Sequence, residues 1–160
     1  MDIKKIAWLG GAWDGEGSIT VFKHREKNGV VKLCPTLVLT NTESSFIQEA
    51  VEILDENGLS FHLMSYKRGE NKECYQLITR NLEKIKKFLE LMTPYLVSKK
   101  PQAKLLMRFV DSRLVHKREG RKWGHNTPYS EEEQSIEEQM RILNGRRPRD
   151  YTSNTKKVKI

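Results

Sequence analysis

Between Trp8 and Ile19 the chain reads Trp8-Leu9-Gly10-Gly11-Ala12-Trp13-Asp14-Gly15-Glu16-Gly17-Ser18-Ile19, an apolar helix pattern that runs into two carboxylates and then a strand. Ile6, Leu9, Gly10 and Trp13 recur at helical spacing. One stripe is therefore apolar and contains a residue with no side chain, against which another backbone can come close. Gly11 lies beside that stripe and widens the flat patch. Asp14 and Glu16 fall where the helix is expected to end, because Gly15 and Gly17 supply the backbone freedom of a helix exit. Carboxylates at a helix C-terminus face the negative end of the dipole, and a divalent cation would offset that cost. On helix and turn statistics alone the plainer reading, a buried helix ending in an acidic glycine-rich turn, is favoured. The rest of the chain decides between the two.

At 160 residues the chain suits one well-packed domain with an extension rather than two domains. Its net charge of +8 is unevenly spread. Residues 98–125 carry nine Lys/Arg against two acids, and 144–160 carry six against one, so the remainder is net acidic. Clustered positive charge on an otherwise balanced domain suits a polyanion, and nucleic acid is favoured over membrane because no long basic amphipathic helix accompanies it. Cys34 and Cys74 show no metal or redox spacing, which points to a reducing compartment. No cleavable leader and no membrane span are expected, so the protein is read as soluble and intracellular, with no membrane partner.

After Gly17 the apolar period switches from helical to two. Ile19 and Val21 alternate with Thr20, Phe22 and His24, Asn28-Gly29 marks a hairpin turn, and the return strand sets Leu33, Leu37 and Leu39 against Lys32, Cys34, Thr36, Val38 and Thr40. Asn41-Thr42-Glu43-Ser44 starts a helix with Phe46, Ile47, Ala50, Val51 and Leu54 inward, ended by Asn57-Gly58. A second hairpin, Leu59 to Lys67 and Lys72 to Thr79, turns around Arg68-Gly69-Glu70-Asn71. Leu82 to Met92 and about Lys99 to Leu114 read as helices joined through Val97-Ser98-Lys99-Lys100-Pro101. A basic loop with Trp123 leads to Ser130-Glu131-Glu132-Glu133, a capping-box start to a last helix ending near Asn144-Gly145. The divisions are thus a core over 1–114, a basic loop over 115–129, a helix over 130–145 and a basic tail over 146–160.

Leu9 through Gly17 resembles the nine-residue signature of the LAGLIDADG homing endonucleases. Leu9, Gly11, Asp14 and Gly17 match it, Gly10 and Gly15 replace alanines, Glu16 replaces the second aspartate, and Ala12 and Trp13 replace an aliphatic pair. The helix-hairpin-helix-hairpin-helix order extends the resemblance to roughly residues 3–114. It implies an α+β, αββαββα LAGLIDADG homing-endonuclease fold, a curved antiparallel sheet with helices on one face, plus a C-terminal helical extension. A strand of about ten residues spans about 33 Å, enough to follow a major groove through about one turn. The expected DNA readers are Thr20, Phe22, His24, Lys32, Cys34, Thr36, Val38 and Thr40 from the first hairpin and Tyr66, Arg68 and Gln76 from the second, and Lys100, outside the hairpins, is a further expected DNA contact.

The resemblance implies a site-specific, intron-encoded endonuclease that makes a double-strand break by metal-dependent phosphodiester hydrolysis. The cofactor would be Mg2+, or Mn2+, with Ca2+ holding a non-cleaving complex, and no small-molecule cofactor is implied. One chain offers one motif, so two copies would work together on double-stranded DNA as a homodimer, packed through Leu9, Gly10, Gly11 and Trp13. Glu16 becomes the metal-binding carboxylate and the Gly15 carbonyl a further ligand, while Asp14 supports the helix end. Asn41 takes the place of a polar residue orienting water, and Lys99, in Pro94-Tyr95-Leu96-Val97-Ser98-Lys99-Lys100, that of an active-site lysine. Localisation would be cytoplasmic in a prokaryote and organellar in a eukaryote. Plainer roles stand beside these: Glu16 in a salt bridge, Asn41 as a helix cap, Lys99 as surface charge, and Trp123 as a pin for its linker. Rival functions are a non-cleaving binder on the same fold, such as a splicing maturase or transcription regulator, and an unrelated basic scaffold protein. His24, His62, His116 and His125 lack zinc spacing.

Overall fold

A computed structural model describes residues 2–67, 69–118 and 128–145. Arg68, Trp123 and the tail from Arg146, all singled out in the sequence, lie outside the described residues.

The element order is α1 (Ile3–Glu16), β1 (Gly17–Arg25), β2 (Val31–Asn41), α2 (Ser44–Glu56), β3 (His62–Tyr66), β4 (Cys74–Thr79), α3 (Leu82–Met92), a 3-10 turn (Thr93–Tyr95), α4 (Lys100–Arg118) and α5 (Glu131–Leu143). The strands form one antiparallel sheet in the order β1-β2-β4-β3, so the fold is α+β with the αββαββα order and an added C-terminal helix. The loop joining β1 to β2 is longer than a two-residue turn. Glu26 donates to Val30, Gly29 donates back to Glu26, and Gly29 takes a positive φ of 85°, a conformation that costs glycine nothing.

Register explains the layers. Ile19 pairs with Leu37, Val21 with Pro35 and Leu39 with Leu77, so every second residue turns one way. Ile19, Val21, Leu33, Leu37, Leu39 and Leu77 are buried under α1 to α4, which all pack on that side of the sheet. The centre is aromatic: Trp13 lies 4.5 Å from Phe88 and 5.9 Å from Phe61, ring centre to ring centre. Such tilted and edge contacts add about 0.5–1.5 kcal/mol each beyond the area they bury.

Two expectations about α1 are corrected. The helix does not stop before the acids but runs through Gly15 to Glu16, and neither Gly15 nor Gly17 has a positive φ. Gly17 is instead required by space, since a Cβ there would lie 2.4 Å from the Trp13 ring. The other boundaries shift less: β3 is shorter than its apolar pattern, and α4 continues past Leu114.

α5 closes one side of the fold. Its N-terminus carries the expected capping box, in which Glu133 Nα–H donates to Ser130 Oγ (3.1 Å) and Ser130 Nα–H donates to Glu133 Oε2 (2.9 Å). Glu133 is fully buried, and Ser112 Oγ donates to it at 2.9 Å while Arg113 lies at 3.5 Å. At the other end Asn144 Nδ2 donates to the Ile19 carbonyl of β1 at 3.2 Å.

Candidate nucleic-acid interface and metal end

Asp14 sits in the last turn of α1, where the helix dipole disfavours a carboxylate. The chain answers that with its own groups. Val97 N–H donates to Asp14 Oδ2 at 2.6 Å and Ser98 N–H at 3.2 Å, while Lys99 N–H (2.9 Å) and Ser98 Oγ (3.0 Å) donate to Oδ1. These donors lead directly into α4, so the carboxylate of one helix end caps the positive start of the next. The Lys99 ammonium donates to the Asp14 carbonyl, an orphan oxygen of the last turn. The cation expected to balance Asp14 is therefore the α4 N-terminus with Lys99, not a metal.

Partial burial alone would raise the Asp14 pKa, but the hydrogen bonds from Val97, Lys99 and Ser98 outweigh it and hold the carboxyl below its ordinary value. A depressed carboxyl pKa contributes stability that is complete above the unfolded value and is lost as pH falls through the folded one. Asp14→Asn keeps one acceptor oxygen but turns an NH2 donor toward the N–H groups that face the other, and is thus expected to cost about 1–3 kcal/mol at pH 7. The gap between wild type and variant in urea unfolding should begin to shrink as pH falls below the ordinary carboxyl value of about 4, and go on shrinking as pH falls through the lower folded value. A gap that stayed constant down to pH 2 would contradict this role.

Glu16, the final residue of α1, is exposed, and no ion pair among the described residues holds it. The neighbouring Gly15 carbonyl belongs to the set that a helix cannot satisfy internally. Asn41 comes to the same end of the sheet: Gly17 pairs with Leu39, and Asn41 lies two residues further along β2. Its Oδ1 accepts from Glu43 N–H at 2.9 Å, so Asn41 serves the turn into α2. Among the described residues Lys99 joins the cluster through Asp14. Among the described residues no group of three or more His, Cys, Asp or Glu could hold a metal ion.

The face of α1 assigned to a dimer partner needs rephasing. Leu9 and Trp13 are fully buried in the chain's own core, and a Cβ on Gly10 would lie 2.9 Å from Tyr95 Cβ and 3.1 Å from its carbonyl oxygen. The close backbone approach that Gly10 permits is thus to the 3-10 turn of the same chain. Gly11 is exposed on the opposite side, as are Ala7, Trp8 and Gly15. Gly11 and Gly15 are one helical turn apart, and nothing lies within 4 Å of a Cβ built on either.

The sheet side away from the helices gathers the expected readers. Thr20 pairs with Thr36, Phe22 with Cys34, His24 with Lys32 and Thr40 with Gln76, so all of these share one face with Val38 and Tyr66. Gln76 Nε2 donates to Thr40 Oγ1 at 3.3 Å, and Lys32 pairs with Glu26. One of the readers is corrected: Thr36 is only 3% exposed, closed off from any ligand above the sheet. Lys100 lies at the start of α4, where with Leu89, Pro94 and Met107 it lines a cleft of about 620 Å³ between α3 and α4. Burial raises the Cys34 thiol pKa, opposed by the charges of Arg80 and Lys32. Arg80 itself went unread in the sequence. It continues the alternation Gln76, Ile78, Arg80 just past the end of β4, and its guanidinium carbon lies 5.7 Å from the Phe22 ring centre.

Among solved structures, the homing endonuclease I-CvuI, bound to the I-CreI target in the presence of Mg, is 20% identical over 88% of this chain and 95% of its own, with a TM-score of 0.54. The archaeal intron-encoded homing endonuclease I-Vdi141I, complexed with DNA, is 14% identical over 88% of this chain and 97% of its own, at 0.56. The group I intron-encoded I-CeuI, also complexed with DNA, is 14% identical over 91% and 70%, at 0.63. At these identities the likeness is one of fold. No curated protein matches. Residues 4–93, more than half of the chain, match the LAGLIDADG-like domain, and with the signature at Leu9–Gly17 and the αββαββα sheet this places the chain in the LAGLIDADG homing endonuclease family.

Proposed function

We propose that two copies of this chain form a divalent-metal-dependent, site-specific DNA endonuclease, intron-encoded, that cuts both strands of a long target. The observation that carries this is the continuity of one exposed stripe. Gly11 and Gly15 leave α1 flat on its open side, and that stripe ends at exposed Glu16, where β1 enters the polar sheet face. Copies packed along this stripe bring their two Glu16 side chains together between two DNA-reading sheets. The structures of I-CvuI with its target in Ca and with the I-CreI target in Mg support metal and duplex DNA as ligands of this fold.

The residues present fit a magnesium-type ion, which is held by one or two carboxylates and otherwise by water and phosphate oxygens. Glu16 would hold it, with the Gly15 carbonyl as a further oxygen donor. The bound ion supplies charge neutralisation at the scissile phosphate and a more acidic water. The chain supplies the rest: the sheet binds and registers the duplex, the Asp14 clamp fixes the end of α1, and Lys99 adds positive charge beside it. Asn41, anchored through Glu43, presents a polar group at the same sheet end.

The test uses duplex DNA made by joining the two flanks of the gene's own insertion site. Purified protein with Mg2+ is expected to give two defined fragments, and EDTA is expected to stop cutting while leaving a gel shift of the same duplex. A shift with no cleavage in Mg2+ or Mn2+ would make the chain a binder.

A further inference from the structure

Arg80 and Phe22 are separated by β2, yet their side chains meet. Crossing from β4 to β1 covers two strand spacings, about 10 Å. Arg80 is exposed and would stand opposite Thr36 if the β2–β4 register continued, so its side chain extends over β2 toward the Phe22–Cys34 pair. Its charge is felt at Cys34. Thr36, beneath that path, has lost nearly all exposure on a face where its neighbours keep some.

A ring face takes up a cation without using its N–H donors. Among the described residues no carboxylate or carbonyl accepts a hydrogen bond from Arg80. A guanidinium stretched across the middle of a sheet, held by an aromatic ring and keeping its planar donor fork, is prepared for a planar pair of acceptors. In a major groove the pair that matches best is O6 and N7 of guanine. A phosphate would also accept, but phosphates line the groove walls, whereas Arg80 lies toward the middle of the sheet, beside β2.

We propose that Arg80 reads one guanine in each half of the target and that Phe22 is its positioning residue. This rests on the DNA-reading function above, and the test separates the two. Wild-type protein in Ca2+ is used to select duplexes from a pool with a fully randomised 30-base-pair centre, and the bound molecules are sequenced. The wild type is expected to recover a two-fold related motif containing a symmetric pair of guanines. Arg80→Gln is expected to lose about ten-fold or more of the preference at that pair and to shift it toward adenine, with every other position unchanged. Phe22→Leu is expected to blur the same pair, and Phe22→Tyr to restore it.

A variant that had merely unfolded would lose the whole motif, not one pair of positions. If Arg80→Gln weakened binding equally for all sequences, Arg80 would be a phosphate contact and the proposal would fall. An unchanged motif would overturn it as well, with DNA reading intact. If the wild type selected no motif at all, sequence reading by the sheet would fall, and this proposal with it.

Discussion

Glu16→Gln is expected to abolish cleavage while leaving DNA affinity within a few-fold of wild type. The amide keeps the size and one acceptor oxygen but loses the charge that would hold a divalent ion. Because Glu16 is exposed and no ion pair among the described residues depends on it, the fold has no stake in that charge. A rate loss on the order of 10³-fold or more is the scale expected when a principal electrostatic element of a hydrolytic site is removed. Single-turnover cleavage and a Ca2+ gel shift, run on the same preparation, separate chemistry from binding. A variant that still cut at the wild-type rate would place the metal elsewhere.

The adjacent glycines of α1 are expected to fail in opposite ways. At Gly11 a larger residue meets nothing in its own chain, so Gly11→Glu should leave the single chain folded and unstrained, with any loss of thermal stability confined to what pairing contributes and therefore dependent on protein concentration. In the proposed pair of copies the same substitution sets like charges against each other, at a cost of several kcal/mol. Sedimentation should then show a folded monomer and the nuclease assay no double-strand cutting. At Gly10 the first added carbon already meets Tyr95 at 2.9 Å. Gly10→Val should therefore destabilise the fold itself, near the upper end of the roughly 1–3 kcal/mol that overpacking costs, measured by urea unfolding. A Gly11→Glu protein that remained a dimer would remove α1 from the interface.

The sequence carried the sheet face well because strands alternate strictly: once Ile19, Leu37 and Leu39 are inside, Thr20, Val38 and Thr40 must be outside. Arg80 was missed because the strand ladder ends at Thr79 while the alternation persists one residue further. The helix was harder. Leu9, Gly10, Gly11 and Trp13 all look like packing residues, and periodicity identifies an apolar stripe without saying whether its partner is the same chain or another. Only Tyr95, brought to Gly10 by a turn more than eighty residues later, decides that. For Asp14, the residue pattern alone left the role open, and only the family resemblance set it apart from Glu16 as support for the helix end. Two acids around a glycine look alike in one dimension, and their separate fates depend on Val97–Lys99 arriving beside one of them.

The hydrogen bond from Asn144 to the Ile19 carbonyl bears on how many molecules can come together. β1 is an edge strand, and edge strands with free backbone groups invite strand addition, which propagates without limit. Here α5 packs along β1 and its last turn occupies one of those backbone acceptors. With that edge occupied, exposed β3 is the open edge left to this sheet, and a sheet open on one side can pair once but cannot extend strand by strand. The C-terminal helix thus works against open fibres and leaves the proposed pairing of two copies along α1 a closed one.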